Sequence, residues 1–427
     1  MSMEFGLRGQ SMLGIFAFMA IAWLLSERKL KFPFMSAIWA VAIQIGVAAF
    51  FLQFDPARRA LRGLNGLVDA LQSATLEGTS FLFGYLGTSD PAAMPFDPVE
   101  GAPLFIFAFQ GLFLVVFISA LSAVLWHWGI LKWIVRGFAM ILTRVFGTGG
   151  AVSLAAAANV FLGQTEAPLL IRAYLDRVTR SELFTIITSG YATVAGSVIV
   201  LYATILAPIE PSILGHIIVA SIISVPAALL IGRIMVPYSD EETPTPTSAG
   251  DDFQYEGSMD AFMHGVTEGG KLWWNIVISI LAFIALAALI NIMLDAFIPD
   301  VGGAPLTLER MLGWVFMPLV WLAGVPFEEA FQAGQLMGIK TALNEVIAYI
   351  ELASLEPGTL SERTSLIMVY ALCGFANIGS LGIVIGGLSS LVPNRRKEII
   401  QLAPKALVGG TLATLMSGAV IGVIWMG

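Results

Sequence analysis

The stretch NVFLGQTEAPLLIR, Asn159 to Arg172, inserts Gln164, Thr165, Glu166 and Pro168 into an otherwise apolar run. The run extends from about Gly150 to Ile171, long enough for one crossing of a hydrocarbon core that takes about 20 residues. Yet Arg144 precedes it, and Arg172, Arg177 and Arg180 follow it. Basic residues mark the cytoplasmic side of short loops, so both flanks belong on one side and the segment must enter and return. Gly163 permits unusual dihedrals, and Pro168 cannot extend a preceding helix without losing a hydrogen bond. The turn therefore falls at LGQTEAP. A re-entrant helical hairpin is predicted, with a non-helical tip that only protein or a watery cavity can cover.

The rest of the chain supplies the membrane. Of 427 residues 57% are hydrophobic and 12% charged, with a mean hydropathy of +0.84, against roughly 25% charged residues in soluble domains. Spans are predicted near 8–26, 33–53, 104–126, 183–207, 211–236, 272–296, 363–391 and 400–426. They are helical, because an open sheet leaves its backbone unsatisfied in lipid. The fold class is thus an all-α polytopic membrane protein of about eight spans. Arg28, Lys29 and Lys31, then Lys132, Arg136 and Arg144, then Arg395, Arg396 and Lys397 are placed in the cytoplasm, with the N-terminus outside. Arg58, Arg59 and Arg62 oppose that assignment from the outer side.

Three regions do not span. Residues 55–100 form an outer surface helix and loop, and 127–147, with basic residues spaced among large apolar ones, an amphipathic interfacial helix. Residues 238–260 are acidic and rich in Pro, Thr and Ser, a solvated linker that accounts for much of the net charge of −8. One cysteine, Cys373, excludes a disulfide framework, and His127, His216 and His264 lack metal-ligand spacing.

A second interrupted segment, MLGWVFMPLVWLAGVPFEEAFQAGQLMG (311–338), is predicted as a second re-entrant hairpin: it breaks at Gly324 and Pro326 and then presents Glu328 and Glu329. Each interrupted segment precedes an apolar run with polar insertions: Thr193 and Ser197 in SGYATVAGSVIVLY, Asn377 and Ser380 in CGFANIGSLGIVIGG. Gly/Pro-interrupted segments at matching places in two halves point to a transporter with an internal inverted repeat. A carboxylate at the bilayer centre costs about 2.5–3.5 kcal/mol, so Glu166 and Glu329 should face a wet cavity or a partner. Glu, Gln, Asn, Ser and Thr together suit an uncharged solute with hydroxyls and ring amides, and Phe375 could stack on a ring. Unwound carbonyls with a Thr hydroxyl and an Asn amide can take Na⁺, although Asn159 and Thr193 would equally tie hairpin to helix. Glu345 reads as either an ion-pair member or a coupling group.

GQTEAP (163–168), GVPFEEA (324–330), KTALNEVIAY (340–349) and CGFANIGS (373–380) together resemble the concentrative nucleoside transporter family, in family order, with similarity from about residue 79 to the C-terminus. The compact N-terminus is similar to bacterial members, which implies a multi-pass protein of the bacterial inner membrane. The resemblance implies a homotrimer in which a scaffold (1–126 and 263–300) carries a transport domain (127–237 and 301–427), with 238–262 as a cytoplasmic linker. Gln164, Thr165 and Glu166 would face the nucleobase beside Val198. Glu329, Asn377 and Ser380 would hold the ribose, and Phe375 would contact the nucleoside. Asn159 and Thr193 would offer side-chain oxygens to sodium, and Leu162 and Val194 their carbonyls. Thr193 stands where the family often has Ser, and Glu328 stands where it often has Asn, which leaves Glu328 without a role.

The expected function is sodium-coupled import of nucleosides such as uridine by alternating access, with proton coupling as the alternative and no cofactor. One Na⁺ moving down 100 mV supplies about 2.3 kcal/mol, enough for roughly 50-fold accumulation. An intramembrane enzyme using Glu166 and Glu329 as a carboxylate pair lacks an accompanying nucleophile set or metal spacing, and a channel or receptor would not accumulate solute.

Overall fold

A computed structural model describes residues 2–29, 32–97, 104–164, 166–210, 212–238 and 255–425. Apart from one bridge between Val301 and Ala304, the described residues form helices and their connections. The chain opens with α1 (Ser2–Leu24) and α2 (Phe34–Gln53), then α3 (Asp55–Gly63) and α4 (Asn65–Phe83), and α5 (Leu114–His127). The first half of the site follows: α6 (Ile130–Phe146), α7 (Gly150–Leu162), α8 (Arg180–Ala192), α9 (Gly196–Leu206) and α10 (Ile213–Met235). A 40-residue helix, α11 (Ser258–Phe297), leads to the second half. That half comprises α12 (Leu308–Leu322), α13 (Phe327–Ala342), α14 (Glu345–Ser354), α15 (Glu362–Leu372), α16 (Ile378–Leu391) and α17 (Arg396–Ile424).

The two halves run through the same sequence of parts. A helix (α6 or α12) turns at a left-handed glycine, Gly147 at φ +59° or Gly324 at φ +107°, into the first arm of a hairpin, α7 or α13. A non-helical tip and a return arm follow: the 3₁₀ turn Ala167–Tyr174 in the first half, α14 in the second. Next comes a membrane helix broken near its middle, extended at 193–195 between α8 and α9 and at 373–377 between α15 and α16. A long helix, α10 or α17, closes each half. The halves point in opposite directions. The start of α8 lies at the end of the bundle where Arg180 and Lys405 reach Glu27 (3.1 and 3.2 Å). The start of α15 lies at the other end, where Arg363 donates to Leu7 O and Ser11 Oγ.

This order corrects the second hairpin. The break at Gly324–Pro326 joins α12 to α13, as Gly147 joins α6 to α7, and it is not the counterpart of the Gly163 tip. The counterpart is Leu343–Asn344, where Asn344 accepts from Ile347 N and caps α14. α12 and α13 lie close because Gly313, Gly334 and Gly338 face the partner helix. A Cβ on Gly338 would stand 2.5 Å from Leu312 Cβ, and one on Gly334 2.6 Å from Gly313 O.

Seven apolar helical stretches among the described residues are long enough to cross a membrane. The expected eighth, 363–391, is divided by the break at 373–377. The linker also ends earlier than expected: 258–262 already belong to α11, whereas 239–254 lie outside the described residues. Burial separates inside from outside. The span through α8 and α9 has 89% of its apolar window buried and that of α11 6%. α11 touches α5 through Gly265 and Gly269, whose missing Cβ atoms let Ala120 and Val116 approach.

Candidate substrate and cation sites

The first tip rests on the first break. Gly163 (φ +89°) has Ala195 Cβ 2.9 Å from where its own Cβ would stand, and Gly196 has Phe161 O at 2.9 Å. Gly190 likewise makes room for Gln164, whose Cβ lies 3.0 Å from the missing one. The C-termini of α7 and α8 therefore meet here. Each carries about half an elementary negative charge on carbonyls without helical partners. Asn159, 1% exposed, sits in the last turn of α7. Its Nδ2 donates to Ser189 Oγ (3.0 Å), which itself donates to Ile186 O (3.0 Å). That chain orients the amide and leaves Asn159 Oδ1 buried with no hydrogen-bond partner. Thr193, also 1% exposed, donates to Ser189 O (2.9 Å), and Val194 is fully buried beside it. Asn159, Thr193 and Val194 are thus gathered at one place, and Leu162 ends the helix next to them. An orphaned oxygen between two helix C-termini is an environment that favours a cation.

Glu166 and Leu162 open onto a cavity of about 290 Å³ that also involves Ser197, neighbour of the buried Val198. Its opposite wall comes from α5 and α11, with Ser119, Ser122, Trp126, His264 and Glu268. Gln164 Oε1 is buried without a partner, which leaves an acceptor ready for a donor group. Thr165 lies outside the described residues.

The second tip meets the second break through a different acid from the expected one. Glu345, 2% exposed at the first turn of α14, accepts from Asn377 Nδ2 (3.1 Å) and from Tyr202 Oη on α9 (2.7 Å). Asn377 and Ser380 form a capping box at the start of α16. The single hydroxyl proton of Ser380 lies within reach of two acceptors, Asn377 O (2.7 Å) and Phe375 O (2.5 Å). Phe375 is only partly buried. Glu329 is not with them: in the first turn of α13, it accepts from Ser361 N and Oγ (3.2 and 3.0 Å) and braces the cap of α15. Glu328 is exposed. Lys340, fully buried, donates from Nζ to Ala371 O (2.8 Å) and Thr414 Oγ1 (3.0 Å). The two breaks touch each other: a Cβ on Gly374 would stand 2.8 Å from Tyr191 O at the end of α8. Nothing in the sequence marks Lys340 or Tyr202, and Glu345 reads there equally as an ion-pair member or a coupling group. The readable signal was Asn344 before Glu345, a helix N-cap that ends the preceding helix and sets an acid at a tip, as GQTE does.

The chain matches "Na+ dependent nucleoside transporter C-terminus" over residues 216–422, the N-terminal part of the same family over 13–86, and "Nucleoside recognition" over 108–209. It belongs to the Na⁺-dependent, concentrative nucleoside transporter family. The transporter is similar to an uncharacterized transporter of Haemophilus influenzae, 37% identical over 96% of each chain. It is also similar to the nucleoside permease NupC of Helicobacter pylori, 34% identical over 96% of each. Its fold matches the solved structure of CNTnw in an inward-facing substrate-bound state with a TM-score of 0.89, at 36% identity over 98% of each chain. An outward-facing variant of that protein matches with a TM-score of 0.88 at the same identity and coverage. These are transporters, not enzymes, and the chain is a multi-pass protein of the bacterial inner membrane.

Proposed function

We propose that this transporter imports nucleosides such as uridine together with sodium, by alternating access, as a homotrimer. The observation that carries the reading is the meeting of two polar hairpin tips with two helix breaks at the centre of the bundle. Gln164 and Glu166 face the base beside Val198, with Phe375 against the nucleoside. Asn377, Ser380 and the acid beside them, Glu345 rather than Glu329, hold the ribose hydroxyls. Asn159 and Thr193 give side-chain oxygens to Na⁺, and Leu162 and Val194 their carbonyls; the unpartnered Asn159 Oδ1 supports that assignment.

The moving part comprises α6–α10 and α12–α17, and the scaffold α1–α5 and α11. The exposed apolar length of α11 supports its use against lipid and sister protomers. The end bearing Glu27, Arg180 and Arg395 is cytoplasmic by its basic residues. Arg58 and Arg62 line a crevice with Trp425 at the opposite end. Radiolabelled uridine uptake into proteoliposomes, with imposed Na⁺ or H⁺ gradients and unlabelled competitors, tests the proposal. Concentrative, sodium-driven and nucleoside-competed uptake is expected. Uptake unchanged when choline replaces sodium would defeat sodium coupling and favour protons, a role that Glu166 and Glu268 on one cavity would suit.

A further inference from the structure

Lys340 is a fully buried cation to which the transport reading gives no work. Its position gains meaning from the repeat. In the first half, the last turn of a hairpin arm (Asn159 on α7) faces the last turns of a half-helix (Ser189 on α8). In the second half, the last turn of α13 supplies Lys340, which faces Ala371 in the last turn of α15. Both places collect the negative ends of two helices. In the first, an acceptor, Asn159 Oδ1, is left without a donor. In the second, the acceptors are taken. Ala371 O accepts from Lys340, and so does Thr414 Oγ1, whose own proton goes to Thr411 O (3.1 Å).

We infer that the Lys340 ammonium occupies, in the second half, the place that a coupling cation takes in the first. The inference rests on the cation reading of Asn159 and Thr193. A neutral donor could satisfy Ala371 O and Thr414 Oγ1 as hydrogen-bond acceptors. Only a cation also offsets the negative ends of two helices, and one tethered to the chain is not lost when the solute leaves. Lys340 is therefore a positioning residue: it holds the second tip and break in register without touching the solute.

The test is Lys340→Ala in the full-length protein, reconstituted and assayed with Na⁺, K⁺ or methylammonium. The wild type is expected to move one Na⁺ per nucleoside, read from the reversal potential. The variant is expected to lose uptake by at least about tenfold at low salt, as for loss of a charge-assisted hydrogen bond. Methylammonium should restore uptake, or a second Na⁺ should do so with a steeper sodium dependence and two charges per nucleoside. An unchanged stoichiometry with no response to added cations would overturn the inference and leave Lys340 a packing residue. If the variant is recovered monodisperse only when a cation is present, that supports the inference; aggregation under every cation counts against it. A wild type indifferent to sodium overturns the coupling reading instead, and the methylammonium arm still decides Lys340.

Discussion

The first and second halves of the transporter use one plan, yet they leave their hairpin tips in opposite conditions. The first tip has spare capacity. Asn159 Oδ1 and Gln164 Oε1 are buried without partners, and Glu166 opens onto a cavity. The second is saturated: Glu345 has a partner on each oxygen, Lys340 fills two acceptors, and Asn377 and Ser380 cap each other. A buried polar group without a partner costs about 1–3 kcal/mol, so the first half stores a cost that a bound ion and solute can relieve. The second half is preorganised. The difference suggests that exchangeable ligands enter on the first side and are gripped by a framework on the second.

Glu345→Gln strikes the saturated tip most directly. Removing its charge from the Tyr202 and Asn377 pair is expected to lower nucleoside uptake by about 10–100-fold, measured as kcat/KM in proteoliposomes. Uptake at the wild-type rate would remove Glu345 from the ribose site. Asn159→Ala comes next: the sodium half-saturation should rise by about tenfold while the nucleoside KM at saturating sodium stays near wild type. A change in nucleoside KM alone would mean that the amide ties hairpin to helix and holds no ion.

The close approach of the breaks can be probed with glycines. Gly374→Ala puts a Cβ 2.7 Å from Thr414 Cγ2 and 2.8 Å from Tyr191 O, an overpacking expected to cost about 1–3 kcal/mol. Gly386→Ala on α16, with nothing within 4 Å, should be neutral or stabilising by about 0.5–1 kcal/mol. Thermal unfolding in detergent measures both, and equal losses would contradict the packing of one break on the other.

A smaller effect concerns the clasp at the basic end. Partial burial works against ionisation of Glu27, but its hydrogen bond from Arg180 and the nearby Lys405 prevail and hold the carboxyl below its ordinary value. Its folded value lies below its unfolded one, so its stabilisation is present above the ordinary carboxylate pKa of about 4.3. It is lost as pH falls through the depressed value. The wild-type advantage in melting temperature over Glu27→Gln should therefore shrink on acidification; an advantage independent of pH would rule the clasp out. Least of all should Glu329→Gln matter. It keeps an acceptor for Ser361, and uptake is expected within about threefold of wild type, since partly exposed polar contacts contribute little. A loss like that of Glu345→Gln would restore Glu329 to the ribose site.

The first hairpin was legible because its signals are local: arginines on both flanks, a glycine and a proline at the turn, three polar residues between them. The second was misread for a physical reason. GVPFEEA carries a glycine, a proline and two acids, the same local chemistry as GQTEAP, but there it makes a corner between two packed helices. The real tip has neither glycine nor proline, and its turn is held by the Asn344 cap and by the partners of Glu345 on α9 and the second break. The broken helix at 363–391 was hidden in the same way: CGFANIGS is apolar enough to read as a continuous span, and only the Asn377 capping box and the contact of Gly374 with Tyr191 show where it opens.

The class, the greater part of the spans, helix α6, the first hairpin and the family are all readable along the chain, because hydropathy, flanking charge and short motifs act over neighbouring residues. Which acid meets Asn377, the burial of Lys340 against Ala371 and Thr414, and the part-for-part match of the halves emerge in the folded chain alone. Those pairings join residues tens to hundreds of positions apart, and they depend on helix directions and close glycine contacts that no single stretch of chain encodes.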